Sequence, residues 1–320
     1  MQDSFYIVTA KGRVNPPPEG SSVIALGTFD GVHVAHKAIM QEAISLKERL
    51  GASLVGAWCF SELPANVLGK KNTPMLCTLE EKIQRILDCG IDFVAVGDLR
   101  ALAAVSAEDF VDKILIEKLG CIGAVCGFNN RFGHKGLGNS ALLYNRFGKD
   151  GAAVVDEITL GGETVSSSAI REHILSGELQ KARDMLSYPV TLTAPVMGGK
   201  RLGQVLGFPT ANQVFPDSII IPKRGIYATL CYTEHGERLI GVSNVGTRPT
   251  ITDGSDSHHV NCETFICNFD RTIYGEKLRV EFCKYLREEQ KFDSVEALRD
   301  QIARDVKGAL AYFESVGIKV

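Results

Sequence analysis

The stretch from Val23 to His36, VIALGTFDGVHVAH, decides the fold of the first half of the chain. It opens with Val23–Phe29, the continuous apolar run of a buried strand, which ends in a turn at Asp30-Gly31. A helix is predicted next, because apolar residues recur at three-four spacing from Ile39 to Leu50. A helix that starts directly after a strand and a turn points free N–H groups and its positive end at one spot. The stretch therefore predicts a phosphate site with two histidines, His33 and His36, beside it.

Strands and helices keep alternating from this stretch to about Leu186. The predicted strands are Leu54–Phe60, Phe93–Val96 and Ala124–Gly127. The predicted helices are Glu108–Leu119 and Leu79–Leu87, the latter opened by a capping box of Thr78 and Glu81. This alternation indicates a parallel sheet with helices on its faces and ligands at the carboxyl ends of its strands. We predict a Rossmann-like α/β domain over residues 1–187.

The hydrophobic period changes to two after Tyr188. Predicted strands there are Val190–Val196, Gly225–Thr233, Leu239–Val245, Val260–Asn268 and Leu278–Tyr285. Several short strands joined by Gly, Asp or Pro turns indicate a small closed barrel. The amphipathic stretch Ser294–Val316 is predicted to form a helix that covers it. We predict an all-β closed barrel with a C-terminal helix over residues 188–320.

Composition excludes several classes of protein. The chain has 320 residues, 45% of them hydrophobic, and a net charge of −3. Its basic residues occur in isolated pairs, which argues against a nucleic acid or membrane partner. The start, MQDSFYIVTAKGRVNPPPEG, lacks the pattern of a signal peptide, and no segment approaches the roughly 20 apolar residues of a membrane span. We therefore expect a cytoplasmic protein.

The cysteines and two further histidines are predicted to have no catalytic or metal-binding role. Nine cysteines are present without any C-x-x-C pair, so zinc and disulfides are not expected. Cys121, Cys126, Cys262 and Cys267 lie in apolar runs and are predicted to be buried thiols. Two further histidines, His134 and His173, are predicted to lie at the surface.

The run from Gly27 to His36 resembles G-x-F-D-G-V-H-x-G-H, a signature of bacterial bifunctional riboflavin kinase/FAD synthetases and of the wider His-x-Gly-His nucleotidyltransferases. Val165–Arg171, VSSSAIR, is similar to their second signature, S-S-T-x-I-R. The chain departs from the family pattern in three places. Ala35 replaces a glycine, Phe60–Pro64 reads FSELP for F-D-P-H-P, and Gly127–Gly133 reads GFNNRFG for G-x-D-F-x-F-G.

This resemblance implies roles for residues of the first domain. His33, His36, Ser167 and Arg171 would stabilise the ATP triphosphate in the transition state. The residues implied to hold the ATP phosphates are Gly27, Phe29, Asp30, Gly31, Ser166, Ser167 and Ser168. The residues implied to hold the flavin are Asn129, Arg131 and Phe132.

The second half resembles the flavokinase domain of the same family. Gly199–Gly203, GKRLG, precedes Leu206–Asn212, LGFPTAN, and Ser243–Thr250, Cys262–Thr264 and Leu286–Phe292 follow in the family order. The resemblance implies that the ATP phosphates are held by Gly199, Lys200, Arg201 and Gly203. It implies flavin contacts from Gly225, Tyr227, Asn244 and Arg248.

The residue types of the second half suit phosphoryl transfer to an alcohol. The ribityl hydroxyl of riboflavin is a poor nucleophile that benefits from a base. Glu263 is a carboxylate on a largely apolar strand, where it needs a partner or a task. Thr210 and Asn212, two residues apart on an extended segment, present the hard oxygen ligands that Mg²⁺ prefers. We therefore predict Glu263 as the catalytic base and Thr210 and Asn212 as metal ligands.

Three functional hypotheses follow. In the first, the second domain phosphorylates riboflavin to FMN with ATP and Mg²⁺, and the first domain adenylylates FMN to FAD with a second ATP. In the second, only the kinase is active, and the first domain, which carries Ala35, Leu63, Asn129 and Asn130, binds flavin nucleotide without transferring AMP. The third is a tRNA-directed enzyme built on the same nucleotide-binding motifs. The expected partners of the first are riboflavin, FMN and ATP, with the chain a monomer or a weak homo-oligomer.

Overall fold

The chain folds into two compact units in the computed structural model, one ending at Ser167 and the other beginning at Ser168. The structure describes residues 4–69, 72–198, 207–247 and 260–318. Five residues with a predicted role, Gly199, Lys200, Arg201, Gly203 and Arg248, lie outside these ranges. The boundary predicted from the sequence, at 187/188, lies further along the chain than the division between the compact units.

The first unit contains a seven-stranded sheet of order β2-β1-β5-β4-β3-β6-β7. Its strands are β1 (Phe5–Thr9), β2 (Gly12–Val14), β3 (Ser22–Leu26), β4 (Leu54–Phe60), β5 (Phe93–Gly97), β6 (Cys121–Gly127) and β7 (Ala152–Val155). The five strands from β3 to β7 are parallel, which confirms the predicted α/β class. Antiparallel β1 and β2 extend the β5 edge and were not predicted.

Helices cover both faces of this sheet. They are α1 (Val34–Leu50), α2 (Pro64–Leu68), α3 (Leu79–Leu87), α4 (Leu99–Leu102), α5 (Ala107–Asp109), a π-helical stretch (Phe110–Ile116), α6 (Glu117–Leu119) and α7 (Ser140–Gly151). On one face α1 and α3 pack against Val23, Ala25 and their neighbours. On the other face the π-helical stretch and α7 pack against Ile24 and Leu26. Because every strand residue of β3 is buried, this strand lies at the centre of the unit.

A two-stranded hairpin, β8 (Thr159–Leu160) and β9 (Glu163–Thr164), leads from β7 to the helix α8 (Ser167–Ser176). The helix α9 (Leu179–Leu186) follows. His173 on α8 is 7% exposed, and its Nδ1 lies 2.8 Å from Glu178 Oε2. The predicted surface position is therefore wrong for His173, because it shares the buried face of α8 with Ile170 and Ile174. His134 is exposed, as predicted.

The second unit is built on a six-stranded antiparallel sheet of order β10-β15-β12-β13-β14-β11. The strands are β10 (Val190–Pro195), β11 (Thr210–Val214), β12 (Gly225–Tyr232), β13 (Arg238–Thr247), β14 (Val260–Ile266) and β15 (Lys277–Arg287). The sheet curls, since Met197, just after one edge strand, forms a bridge to Asn212 on the other edge strand. The C-terminal helix α10 (Val295–Ser315) packs on this sheet through Ala309 and Phe313, as predicted.

All nine cysteines are free thiols. The four predicted to be buried, Cys121, Cys126, Cys262 and Cys267, are buried. Burial raises the pKa of these thiols, so they are un-ionised at neutral pH.

Candidate active sites

The turn between β3 and α1 is strained. Phe29 and Val32 adopt φ angles of 51° and 40°, although side chains with a Cβ avoid this region and a β-branched residue does so most strongly. Both side chains are fully buried, so the core holds the backbone in this conformation. The predicted strand therefore ends at Leu26 and not at Phe29, and the residues after Leu26 form the turn that leads into α1. Strain of this kind, about 1–3 kcal/mol per residue, concentrates at functional sites.

The two histidines of the motif lie against each other at the start of α1. His33 is the N-cap residue, 4% exposed, and its Nδ1 accepts a hydrogen bond of 3.4 Å from the backbone N–H of His36. Their rings stack with centroids 3.6 Å apart and planes 16° from parallel. Burial, followed by the nearby His33 and Lys82, lowers the pKa of His36 well below 6.5. His36 is therefore a neutral imidazole at neutral pH.

A cavity of about 330 Å³ opens above these histidines at the carboxyl ends of β3, β6 and β7. Most of the predicted site residues of the first unit line it: Gly27, His33, His36, Asn129, Arg131, Ser166 and Ser167. Ala35 lines it as well, at the position where the family has glycine. The cavity offers imidazoles, hydroxyls and a guanidinium to a single ligand, and that donor set suits phosphate oxygens.

Two predicted phosphate residues have their side chains elsewhere. The Asp30 carboxylate is buried and accepts a hydrogen bond of 2.9 Å from the backbone N–H of Leu76. Phe29 is part of the core, where its ring lies close to Gly27. Both residues shape the turn, and the carbonyl oxygen of Asp30 accepts a hydrogen bond of 3.0 Å from the hydroxyl of Ser167. Ser167, the second serine of the second signature, is thereby fixed to the turn of the first signature. Ser166 precedes it and lines the cavity.

The other residues of the second signature continue along α8 beyond Ser167. Ser168 is exposed and Arg171 is partly buried. Both belong to the second compact unit.

A smaller, apolar cavity of about 90 Å³ adjoins the first. Four aromatic side chains line it, Trp58, Phe60, Phe110 and Phe132. The two cavities share Gly27, Thr28, Asn130 and Arg131. Phe132 was predicted to touch the flavin, and the structure places it in this aromatic wall, largely buried against Phe110 with ring centroids 5.5 Å apart.

Sequence analysis missed three residues of this region. Trp58 and Phe60 were predicted only as part of the strand Leu54–Phe60, and Phe60 also begins a departure from the family pattern, yet both line the apolar cavity. Lys82 is 2% exposed, and its Nζ donates a hydrogen bond of 2.7 Å to the carbonyl oxygen of Phe60. The available signal was its place on α3, four residues before the fully buried Ile86 and hence on the apolar face.

In the second unit Glu263 lies between two asparagines. It is directly opposite Asn212 on the paired strand β11 and opposite Asn244 on the paired strand β13. Alternate residues of β14 are buried and half-buried, so Glu263 shares the half-buried face with Asn261 and Phe265, as predicted. The carboxylate is thus flanked by amide groups on both neighbouring strands.

This row of polar residues lies at a cavity of about 380 Å³. Glu263 and Asn244 line it together with Phe208, Ile226, Phe265 and Phe292, which make its walls mainly apolar. Residues of α10 and the end of β15 complete it, and a buried pair joins these two elements. Arg287 donates to both carboxylate oxygens of Asp305, at 2.8 and 2.6 Å. A flat apolar ligand with a polar tail fits such a cavity.

Thr210 lines this cavity and also a second one of about 280 Å³ on the other side of β11. Phe269, Arg271 and Tyr274 line the second cavity. The Asn212 amide nitrogen donates to the Thr210 carbonyl at 3.1 Å, and the Asn212 Oδ1 is buried with no hydrogen-bond partner among the residues that the structure describes. An oxygen left without a donor, beside a threonine hydroxyl, fits a hard cation such as Mg²⁺.

Two residues of the second unit that were predicted to bind flavin contact other parts of the protein. Tyr227 is fully buried, packs against Phe282 and Tyr285, and its hydroxyl donates to the Lys223 carbonyl. Burial, followed by the nearby Tyr285, raises its pKa. Gly225 has a φ of 142°, and a Cβ there would lie 2.4 Å from the Arg287 carbonyl oxygen. Neither residue lines the two cavities of this unit described above.

Comparison with known families agrees with this geometry in both halves. The riboflavin kinase family model matches residues 186–313, and the FAD synthetase family model matches residues 16–169. The bifunctional riboflavin kinase/FMN adenylyltransferase of Bacillus subtilis (strain 168) is 32% identical over 302 residues, covering 93% of this chain and 94% of that protein. The chain belongs to the bifunctional riboflavin kinase/FMN adenylyltransferase family.

Other members of this family match over similar lengths. The protein of the same name from Escherichia coli (strain K12) is 31% identical over 305 residues, covering 94% of this chain and 96% of its own. A crystal structure described as a macrolide-efflux protein from Streptococcus pneumoniae aligns with a TM-score of 0.82 and 26% identity, over 92% of this chain and 95% of that one. Among the residues described, no helix combines the length and apolar character that crossing a membrane requires.

Membership of this family helps to choose between the functional hypotheses that the sequence left open. Both family domains are present, and the relatives bear the bifunctional name, which supports the two-activity hypothesis over a kinase with an inactive first domain. The matches cover 94% and 96% of the length of these two relatives, and both domains of the family lie within them.

Proposed function

We propose that the chain makes FMN from riboflavin and ATP in its second unit and FAD from FMN and ATP in its first. The observation that carries this proposal is the pair of sites: a carboxylate at an apolar cavity in one unit, and two stacked histidines at a polar cavity in the other. The two family matches fall on the same two units and support it.

In the kinase site Glu263 acts as the general base. Riboflavin enters the apolar cavity with its ribityl 5′-hydroxyl toward Glu263, and the carboxylate takes the hydroxyl proton as the oxygen bonds to the γ-phosphorus. The bond from the γ-phosphorus to the β-phosphate oxygen breaks, and ADP leaves. Asn212 and Asn244, opposite Glu263 on the neighbouring strands, orient the carboxylate and the ribityl chain.

The threonine and asparagine of β11 bring the nucleotide to this site. Thr210 borders both cavities of the unit, so ATP in the cavity with Phe269 and Tyr274 would direct its γ-phosphate toward riboflavin. Thr210 and Asn212 would hold Mg²⁺, which when bound neutralises charge on the phosphates. Gly199, Lys200, Arg201 and Gly203 are proposed to surround the phosphates, and Arg248 to contact the flavin.

In the adenylyltransferase site the nucleophile needs no base, since an FMN phosphate oxygen is already anionic near neutral pH. It attacks the α-phosphorus of ATP, the bond to the β-phosphate oxygen breaks, and pyrophosphate leaves. The protein positions the two substrates and neutralises charge, which are the main effects in phosphoryl-type transfers. His33, His36, Ser166 and Ser167 line the cavity and donate to phosphate oxygens, with Ser168 and Arg171 proposed to join them.

FMN binding draws on both cavities of the first unit. The apolar cavity, at about 90 Å³, is smaller than the roughly 300–1,000 Å³ of most small-molecule sites. Its aromatic walls suit one edge of the flavin ring, and the shared residues Asn130 and Arg131 lead from there into the polar cavity. The flavin ring would therefore extend between the two, with Asn129 and Arg131 beside it.

The proposal also covers three general features of the protein: the closure of the second sheet, the cellular location and the oligomeric state. We propose that the curled sheet of the second unit closes into a barrel, supported by the bridge from Met197 to Asn212 and by Gln213, whose amide donates to Ala194 and Leu278. The nine free thiols support a reducing, cytoplasmic location. The chain is proposed to act as a monomer or a weak homo-oligomer, without nucleic acid or membrane partners.

Product chromatography tests both activities separately. The purified protein is incubated with riboflavin, ATP and Mg²⁺, and in parallel with FMN, ATP and Mg²⁺. We expect FMN followed by FAD in the first incubation and FAD in the second. FMN without FAD in both would reduce the proposal to the kinase, and no FMN from riboflavin would overturn its second-unit half.

A further inference from the structure

Lys82 is a buried lysine whose ammonium is bonded to a backbone carbonyl oxygen. It is 2% exposed, and it donates a hydrogen bond of 2.7 Å to the carbonyl oxygen of Phe60. Within residues 4–69, 72–198, 207–247 and 260–318 it forms no ion pair. Burying a cation that has no directly paired carboxylate costs free energy of folding, and such a group persists when it has a task or gains an anionic partner.

The local sequence places this ammonium at the functional edge of the sheet. The capping box of Thr78 and Glu81 fixes the first turn of α3, and Lys82 comes next on the buried face with Ile86. Phe60 is the last residue of β4, so the hydrogen bond ties α3 to the carboxyl end of the strand beside β3. Substrates of parallel α/β sheets bind at this edge.

Groups from three elements feel the charge of Lys82. It lowers the pKa of His36 at the start of α1, opposes the burial that raises the pKa of Cys59 on β4, and does the same for Cys77 before α3. Two carboxylates share these surroundings, since Asp30 and Glu81 act on the same thiol, Cys77, as Lys82 does. Asp30 accepts a hydrogen bond from the Leu76 N–H, and Glu81 caps α3. The other group that lowers the pKa of His36, besides burial, is His33.

We propose that Lys82 is a positioning residue for adenylyl transfer. Its fixed positive charge acts on His36, and His36 in turn contacts the substrate phosphates. Lys82 does not line the polar cavity, so it acts without touching substrate. The phosphates of ATP and FMN would bring negative charge to the edge of the sheet at which this cation is fixed. The charge of Lys82 acts together with burial, the larger cause, to lower the pKa of His36. This inference rests on the proposed function of the first unit.

A purely structural role is the competing explanation. In that case Lys82 matters only as a hydrogen-bond donor that holds the end of β4, and an uncharged donor should replace it. Lys82→Gln keeps a donor and removes the charge, Lys82→Met removes both, and Lys82→Arg keeps both. Lys47→Met is the matched control, because Lys47 also lies in this unit but is partly exposed and pairs with Asp92 at 3.5 Å.

Four measurements are made on each variant: FAD formation from FMN and ATP across pH, FMN formation from riboflavin, ATP affinity, and NMR titration of the His36 imidazole. For Lys82→Gln and Lys82→Met we expect FAD formation to fall about 10- to 100-fold, less than the 10²–10³ typical of a donor that touches the reacting group. The His36 pKa should rise, moving the acid limb of the rate profile upward. Lys82→Arg should retain most activity, and Lys47→Met and the kinase reaction should be unchanged.

The outcomes separate this inference from the function on which it rests. A Lys82→Gln protein with the parent rate and an unchanged His36 titration would overturn it, since an uncharged donor would then suffice. A parent protein that forms no FAD would refute the proposed function by itself. The inference would then stand or fall on ATP affinity and the His36 pKa. Weaker ATP binding with a raised His36 pKa in Lys82→Gln would support it, and no change in either would overturn it.

Discussion

Glu263 and Asn212 lie directly opposite each other on the paired strands β14 and β11 of the second unit. One side chain carries the proposed base, and the other carries a buried carbonyl oxygen that accepts from no donor in the described part of the chain. The proton acceptor and the proposed cation ligand are therefore held at the fixed spacing of a cross-strand pair. Because both belong to the same sheet, no loop movement is needed to bring them together.

Glu263→Gln should abolish FMN formation while ATP–Mg²⁺ affinity stays close to that of the parent. The substitution removes the proton acceptor but leaves Thr210 and Asn212 in place. The rate is measured by chromatography and the affinity by calorimetry. Glu288→Gln is the control, because Glu288 is exposed and pairs with Lys223 at 3.3 Å. A near-parent kinase rate in Glu263→Gln would rule out this residue as the base.

His36→Asn should slow FAD formation from FMN about 10²–10³-fold, the usual cost of losing one well-placed donor to a developing charge. The kinase reaction of the same preparation should be unaffected, and it serves as an internal measure of protein quality. His134→Asn, at an exposed histidine of the first unit, is the matched control. Equal FAD rates in both variants would contradict the assignment.

The lowered pKa of His36 also predicts how stability depends on pH. In the unfolded chain His36 binds a proton below about pH 6.5, whereas in the folded chain it stays neutral to a much lower pH. The unfolded state therefore binds more protons, and the free energy of unfolding should fall as pH drops below 6.5, by at most about 1.4 kcal/mol per pH unit.

Denaturant unfolding of the parent and of His36→Asn, at pH values on both sides of 6.5, measures this contribution. The variant should lose part of the dependence on pH. Parallel curves for the two proteins would show that the His36 pKa is not lowered by folding.

Ala35→Gly should raise the rate of FAD formation, by about fivefold for each 1 kcal/mol that the methyl group costs at a close contact. Ala35 lines the polar cavity at the position where the family has glycine. Ala38→Gly on the same helix controls for the loss of helix propensity, about 1 kcal/mol. An unchanged rate would show that the methyl group does not hinder the substrates.

Gly225→Ala should destabilise the second unit by about 1–3 kcal/mol, because the new Cβ would meet backbone that cannot move aside. Its positive φ adds strain for any residue other than glycine. Gly308→Ala, in the middle of α10 with open space around it, should instead stabilise by about 0.5–1 kcal/mol. Thermal unfolding of the two variants compares them directly, and equal melting temperatures would contradict the steric argument.

Local patterns were sufficient for elements whose signals lie within themselves. The strand Leu54–Phe60 and the helix Leu79–Leu87 have the predicted bounds, because an apolar run and a capping box depend on adjacent residues. The hairpin Phe5–Val14 was missed, since it is stabilised by pairing with β5 much later in the chain. The strand around Ile24 was predicted to end three residues too late, at Phe29, because an aromatic residue at 29 gives no sign of a positive φ.

The candidate sites were predictable where residue type and motif coincide. His33, His36, Ser167, Asn244 and Glu263 all line cavities. Tyr227 shows the limit of the motif, because whether its hydroxyl meets a ligand or the Lys223 carbonyl depends on packing that no local pattern encodes. Lys82 shows a different limit of prediction. Its place on an apolar helix face can be seen in the sequence, but its proposed role depends on the residues that surround it in the fold.

Gly27 and Thr28 form part of the wall of both cavities in the first unit. The partition between the aromatic compartment and the polar one is therefore a single thickness of polypeptide. A bisubstrate compound, in which a flat aromatic group is joined to a nucleoside polyphosphate by a short tether, would cross this partition without displacing any secondary structure. Such an inhibitor would be selective for the first unit, because its two halves must be spaced by the width of one backbone.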